Sequence, residues 1–328
     1  MKTEFSDMFA ASSWLMEPKS LRGLVKRAEL ATRGEIQAAM AAFHEAERTR
    51  ERALTLVGDV AVIAMSGPIT YRSSWMSMFF GGATIEDMQA QFRMALEDDA
   101  VRAIVFRSAN PDYFIAHADV TLIQQLPTDV PPKAEALNFF HAMVDRYRTM
   151  PKVSIGAIAG RARGGGSEFL LGLDMRFAAR GRAILSQPEV ALGILPGGGG
   201  TQRLPRLIGR ARAAEVILGC DDFDADLAER YGWVNRALPA DELDGFVDRL
   251  AARIASFPAE AIALAKQSLS HADGDLVDGL IEEAHAFDRT LATKPAQERM
   301  RRFMELGGQT DETERDLGGF IEKLADLA

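Results

Sequence analysis

The sequence predicts an α/β protein whose parallel-sheet core lies between an N-terminal helical extension and a C-terminal helical region. Three observations carry that reading. Short β-branched apolar runs (DVAVIAM, AVRAIVF and KVSIGAIAG) stand between turn-forming or charged residues, the mark of strands buried on both faces. Segments of helical period lie between them. From about residue 211 the pattern is almost entirely helical to the end. Strand–helix alternation followed by a helical tail indicates a parallel sheet with an appended helical region.

Taken in order, residues 1–54 read as helix, rich in Ala, Glu and Arg, with Ile36, Met40 and Phe43 recurring at helical spacing. That composition favours a solvated extension or assembly arm. Strand 59–65 follows, bounded by Gly58 and by Ser66-Gly67-Pro68. SGPITYRSSWMSMFFGGA reads as a loop near a binding surface, and TIEDMQAQFRMALEDD as a helix with Thr84 at its N-cap and Asp87 three residues on. AVRAIVF is a second buried strand, and SANPDYFIAHADVTLIQQL a turn followed by a short helix. Beyond the linker TDVPPK, residues 134–149 read as helix, KVSIGAIAG as strand, and the glycine run 164–166 as a helix start. DMRFAAR and AILSQPEV read as two short strands around Gly181, and PGGGGTQRLPRLIG as a loop entering a helix. The domain reading is an extension over 1–54, a core over 55–255 and a helical region over 256–328.

Composition narrows the function classes. The 328 residues are 47% hydrophobic, which supplies a large core and argues against disorder over most of the chain. A net charge of −9 argues against a nucleic-acid partner, yet leaves room for an anionic small molecule held by a few local Arg or Lys side chains. The single cysteine, Cys220, rules out an internal disulfide framework and a cysteine-rich zinc site. Glu4 and Asp7 interrupt the stretch where a secretory signal needs an unbroken apolar core. No run approaches the ~18 apolar residues of a membrane span. The expectation is a soluble cytoplasmic protein without membrane contact.

The chemistry concentrates in GRARGGGSEFLLGLD, residues 160–174. Glycine is costly inside a helix, so a run of three at a helix start needs a reason. A helix N-terminus presents unpaired N–H groups and a partial positive charge. Glycines there let a ligand oxygen approach the backbone, which suits an oxyanion hole. Glu168 falls in the first turn, pointing back toward the same spot. The same residues also fit a tight strand-to-helix turn with a dipole-stabilised glutamate. Glu189 follows Gln187-Pro188 beside a second glycine loop, 21 residues beyond Glu168. Two acids separated by a hairpin-like stretch would face each other across one cleft as a general acid and base. Taken alone, Glu189 reads equally as a surface carboxylate.

With these motifs assembled, the chain from about 100 to 325 resembles the enoyl-CoA hydratase/isomerase (crotonase) family, most closely over 151–270. KVSIGAIAG, GGGSE, LSQPEVALGILPGGGGTQRLPRLIG and ASFPAEAIALAKQSL carry the resemblance. It implies a crotonase-like (ClpP/crotonase) spiral of ββα units assembled as a homotrimer or homohexamer. It implies hydration of a 2-enoyl-CoA, without a metal or redox cofactor, coenzyme A entering as part of the substrate. The thioester oxygen would sit between the N–H groups of Ala116, in YFIAHAD, and Gly165. Glu168 would activate water for attack at Cβ, and Glu189 would handle the proton at Cα. Isomerases of the family generally manage with the Glu189 position alone, so both acids favour hydration. Other family activities, namely isomerase, thioester hydrolase or carbon–carbon lyase, stay open. Substrate or CoA contacts are expected from His117, Ala118, Asp119, Gly164 and Gly197; Arg72 and Lys323 either meet phosphate or stand as solvated surface charges.

Three departures qualify the resemblance. His117 stands where the family usually has glycine, and either narrows the CoA channel, contacts pantetheine or merely fills space. The turn ARGRA between the two acids is one residue longer than in typical hydratases. Residues 66–83 lack the stretch that meets the CoA adenine. Residues 55–107 look more like signal-peptide-peptidase-type serine peptidases of the same superfold, in which Ser167 would be the nucleophile. The peptidase oxyanion motif is absent, however, and no specific lysine partner is evident. A non-catalytic scaffold with an occluded cleft is a third reading. Trp75, Met76, Met78, Phe79 and Phe80 line an acyl tunnel or pack against a neighbouring subunit, with membrane contact as a third and weaker option.

Overall fold

The computed structural model describes residues 13–15, 54–65, 69–70, 83–118, 120–124, 128–129 and 132–325. The chain proceeds through β1 (Thr55–Val57), β2 (Val60–Met65), α1 (Ile85–Glu97), β3 (Ala103–Ser108), β4 (Tyr113–Ile115), α2 (Val120–Gln124) and α3 (Phe139–Thr149). Next come β5 (Val153–Ile158), β6 (Arg161–Arg163), α4 (Gly165–Leu170), β7 (Met175–Ala179) and β8 (Ile184–Ser186). A 3-10 turn (Glu189–Leu192) leads to α5 (Gly200–Ile208), α6 (Arg210–Gly219), β9 (Phe223–Asp224), α7 (Ala225–Tyr231), β10 (Arg236–Leu238) and α8 (Leu243–Ala255). The chain continues through α9 (Ala259–Ser270), α10 (Leu276–Leu291), α11 (Lys294–Glu305), α12 (Asp311–Arg315) and α13 (Leu317–Ala325).

The order of strands shows how the units stack. A six-stranded sheet runs β10-β7-β5-β3-β2-β1, parallel apart from the β1–β2 edge. A four-stranded sheet runs β9-β8-β6-β4, parallel apart from β9. Each unit therefore lays its first strand (β3, β5 or β7) in the large sheet and its second (β4, β6 or β8) in the small one. This is the expected spiral of ββα units. The apolar runs of β3 and β5 are buried almost throughout, as strands covered on both faces must be.

Four local expectations are corrected. The stretch between the two acids is not a hairpin: β7 pairs with β5 and β10, while β8 pairs with β6 and β9. Helix α3 starts at Phe139 rather than 134, because Asn138 caps it, its Oδ1 accepting the His141 N–H at 2.8 Å. The stretch after Asn110, read as a turn before a helix, contains β4, three residues that pair with β6. Within the extension expected to be helical, Ser13–Leu15 is a strand, antiparallel to Ile69–Thr70, which in turn runs parallel to Ala83–Thr84. The rest of 1–53, the 71–82 loop with its apolar cluster and the Thr84 side chain lie outside the described residues.

The core beneath the site is aromatic. Phe106, Tyr147 and Phe169 meet edge-to-face with centroids 5.2–5.4 Å apart, and Phe92 joins Tyr147 at 4.7 Å. Such pairs contribute about 1 kcal/mol each beyond their burial. Phe169 thereby anchors α4, and its neighbour Glu168 is held by the same short helix. The helical region is tied down by Lys266 of α9. Its Nζ donates at 2.7 Å to the carbonyls of Tyr147 and Lys152 and to Asp174 Oδ2. Helix α10, by contrast, has no buried residue and exposes Leu276, Val277, Leu280, Ile281 and Phe287.

Candidate functional site

The glycine run is shaped by contact with β4. A Cβ at Gly166 would overlap the carbonyl oxygen of Ile115, so only glycine lets the first turn of α4 lie on the end of that strand. Ala116 follows Ile115 and Gly165 precedes Gly166, so this contact sets residues 116 and 165 near each other. Gly165 opens α4, and its N–H has no partner within the helix. Gly164, at φ +50°, occupies backbone space that other residues rarely adopt, and its N–H donates to the Ser186 carbonyl at 3.0 Å. That bond clips the helix start to the end of β8, three residues before Glu189.

Both carboxylates point inward. Glu168 is 3% exposed, and its Oε1 accepts the N–H groups of Gly198 (2.7 Å) and Gly200 (2.8 Å). Burial pushes its carboxyl above the ordinary range, while those two amides and the charge of His141 oppose the rise. Glu189 is 9% exposed. Burial pushes it up to about 7, with its own backbone N–H opposing and the negative charge of Glu168 adding to the rise. Glu189 Oε1 would lie 2.8 Å from a Cβ at Gly164, so this acid stands directly beside the helix start. The reading of Glu189 as a surface carboxylate is excluded.

Gln187 joins the two acid-bearing segments. It is fully buried. With the amide nitrogen turned toward Glu189, it donates to both carboxylate oxygens (3.2 and 3.1 Å) and accepts from Ser167 Oγ (3.3 Å). Ser167 is also fully buried and faces this amide. The two nearly buried lysines are committed elsewhere, Lys152 to the carbonyls of Ala95 and Asp98, and Lys266 to its own cluster. Among the described residues, no serine–lysine nucleophile is built at Ser167.

The remaining expected residues divide. His117 is half-buried, its Cβ 3.7 Å from a Cβ at Gly164, and its Nδ1 is 2.7 Å from the Ala118 carbonyl oxygen. It therefore flanks the same point as Glu189. Ala118 is half-buried beside it. Gly197 is exposed and touches neither acid; its neighbours Gly198 and Gly200 make that contact. Asp119, Arg72 and the Lys323 side chain lie outside the described residues. Residues 180–182, where the extra residue is expected, are exposed, and the strands on either side, β7 and β8, are fixed in separate sheets.

Sequence reasoning missed Phe140 and His141. A Cβ at Gly198 would lie 2.5 Å from Glu168 Oε2 and 2.6 Å from Phe140 Cε1, so the ring and the carboxylate flank one glycine. The only signal available was the pair Phe140-His141 at a helix start, which has no spacing relation to Glu168.

A spiral of ββα units with two buried, opposed carboxylates at a glycine-led helix start defines the crotonase-like class of protein. Comparison narrows the class: the chain belongs to the enoyl-CoA hydratase/isomerase family, whose model matches residues 79–310. It is 31% identical over 249 residues to a short-chain-enoyl-CoA hydratase of Clostridium acetobutylicum, covering 76% of this chain and 92% of that protein. It is 36% identical over 210 residues to a crotonyl-CoA hydratase of Syntrophomonas wolfei, covering 64% and 80%. Among solved structures, an enoyl-CoA hydratase of Bacillus anthracis matches with a TM-score of 0.64 at 29% identity, covering 77% of this chain and 95% of that one. Among the described residues no helix is long and apolar enough to cross a membrane.

Proposed function

We propose that this protein adds water across the double bond of a 2-enoyl-CoA to give a 3-hydroxyacyl-CoA. One observation carries the reading: two buried acids flank one glycine-lined point, and their surroundings favour different protonation states. Glu168, on two backbone amides, is the better site for negative charge. Glu189, with a pKa raised to about 7, holds a proton near neutrality. Groups whose environments separate their protonation states are suited to act as base and acid together.

In this mechanism the N–H groups of Ala116 and Gly165 receive the thioester carbonyl oxygen. Glu168 takes a proton from water as the new C–O bond forms at Cβ. The π electrons move toward the thioester, and the oxygen gains negative charge that the two amides stabilise. Glu189 then gives its proton to Cα, a role that its place beside Gly164 supports. Regeneration returns the proton from Glu168 to Glu189, so the net reaction consumes one water. The mechanism asks for no metal or redox cofactor. His117 and Ala118 border the path of the pantetheine arm, and Arg72 and Lys323 are assigned to its phosphates.

The same proposal places the protein in the cytoplasm as a homotrimer or homohexamer. The apolar face of α10 supports assembly, since it needs a cover. The test of the reaction is direct: crotonyl-CoA should lose its conjugated-thioester absorbance in the presence of the protein. If 3-hydroxybutyryl-CoA does not form, the hydratase reading fails. Light scattering of the same sample tests the assembly, and a monomer would overturn it.

A further inference from the structure

The amides that hold Glu168 belong to a glycine turn, and glycine turns do not hold themselves still. Gly198 and Gly200 donate to the same oxygen, so small shifts of the turn would break both bonds. What fixes the turn comes from α3 and α5. Arg203 of α5 folds back over it, its Nε 3.3 Å and Cδ 3.4 Å from a Cβ at Gly199. The backbone N–H groups of Gln202 and Arg203 donate to the Gly199 carbonyl at 3.0 and 2.8 Å. From that position the Arg203 guanidinium reaches Asp145 of α3 at 3.1 Å. Arg148, one turn along α3, meets the same Asp145 oxygen at 3.1 Å. Helix α3 also supplies Phe140, whose ring packs on Gly198.

We infer that the Asp145–Arg203 ion pair is a positioning element of the reaction, clamping the Gly198–Gly200 turn to α3 so that both amides stay on Glu168. The inference rests on the hydratase reading only for its kinetic consequence; the geometry of the turn stands without it. Neither residue touches the acids, and the clamp acts through the amides alone. The pair is partly shielded, with side chains 20% and 31% exposed, so its contribution to global stability is modest while its leverage on two short hydrogen bonds is large. Burial acts upward on the Asp145 carboxyl, but the two arginines outweigh it and hold the group below its ordinary value, so it stays charged at neutral pH.

The experiment reads Glu168 itself, by carbon-13 NMR of labelled glutamate carboxyls in the full chain, alongside crotonyl-CoA kinetics. The titratable groups facing Glu168 are Glu189 and His141, and both remain in every variant. Arg203→Met should raise the Glu168 titration midpoint by at least about one pH unit, because lost amide bonds favour the neutral acid. It should also lower kcat about 10²-fold with a smaller change in KM. Asp145→Asn should act in the same direction, and the double variant should add little, as for partners in one unit. Arg203→Lys should restore part of the shift, whereas Arg148→Met should leave the midpoint unmoved. The inference is overturned if Arg203→Met or Asp145→Asn folds, as judged by far-UV circular dichroism, and leaves the midpoint at the wild-type value. If Arg203→Met does not fold, Asp145→Asn decides by the same readout. Absence of crotonyl-CoA turnover in the wild type would sink the hydratase reading but not this one, which the NMR titration judges alone.

Discussion

Gly164 and Glu189 touch across the site: Oε1 of the glutamate would lie 2.8 Å from a Cβ at the glycine, which sits at φ +50°. Alanine at 164 would strain the backbone and push the carboxylate from the helix start. Gly164→Ala is therefore expected to cut crotonyl-CoA turnover by about 10²-fold, the scale of a misplaced catalytic group. Steady-state kinetics on the folded variant would measure it, and wild-type kcat would remove Glu189 from that position.

The two acids should each be indispensable. Glu168→Gln and Glu189→Gln keep the shape of the side chain but remove the titrating oxygen. Each is expected to lower kcat by at least ~10²-fold. Survival of activity in both would end the two-acid mechanism.

Glu189 also makes a pH prediction for stability. Its carboxyl rises from 4.5 to about 7 on folding. The folded state thus binds the proton more tightly than the unfolded chain. The resulting stabilisation is complete below about pH 4.5 and lost as pH rises through about 7. Glu189→Gln, which cannot ionise, should gain on the wild type over that window, by on the order of 1–3 kcal/mol at pH 8. Urea melts at pH 5 and pH 8 would show it; a constant difference between the two proteins would refute the raised value.

Lys266 ties α9 to the core through two carbonyls and Asp174, with its side chain 8% exposed. Among the described residues, Lys266→Met leaves Asp174 with the Ser154 N–H and hydroxyl as its donors. A loss of about 3 kcal/mol is expected, as for other broken buried pairs. Thermal unfolding would measure it, and an unchanged midpoint would mean the helix is held by packing alone.

Ser167, buried against Gln187, should behave as a structural hydroxyl. Ser167→Ala is expected to keep activity within ~10-fold of wild type. Labelling of Ser167 by a fluorophosphonate probe would revive the peptidase alternative.

The acids and the glycine run were legible because each lies in a local pattern: glycines at a helix start, Gln-Pro-Glu at a strand end, glycines again after it. The strand–helix alternation was legible for the same reason. What escaped notice depends on contacts between distant segments. Asp145 meets Arg203 across 58 positions, and Phe140 meets Gly198 across a similar gap, with no periodicity to announce either. Strand β4 has only three residues, too few to show an alternation. The hairpin reading of β7 and β8 failed because neighbours in sequence usually pair, whereas in this spiral each strand pairs with its counterpart one unit away.

That separation of β7 from β8 makes the Arg180–Arg182 turn an exposed bridge between two sheets. Its glycine, at φ +73°, has open space where a side chain would be. An affinity handle or fluorophore-bearing peptide spliced into this turn would report on the protein without altering the spacing of its acids.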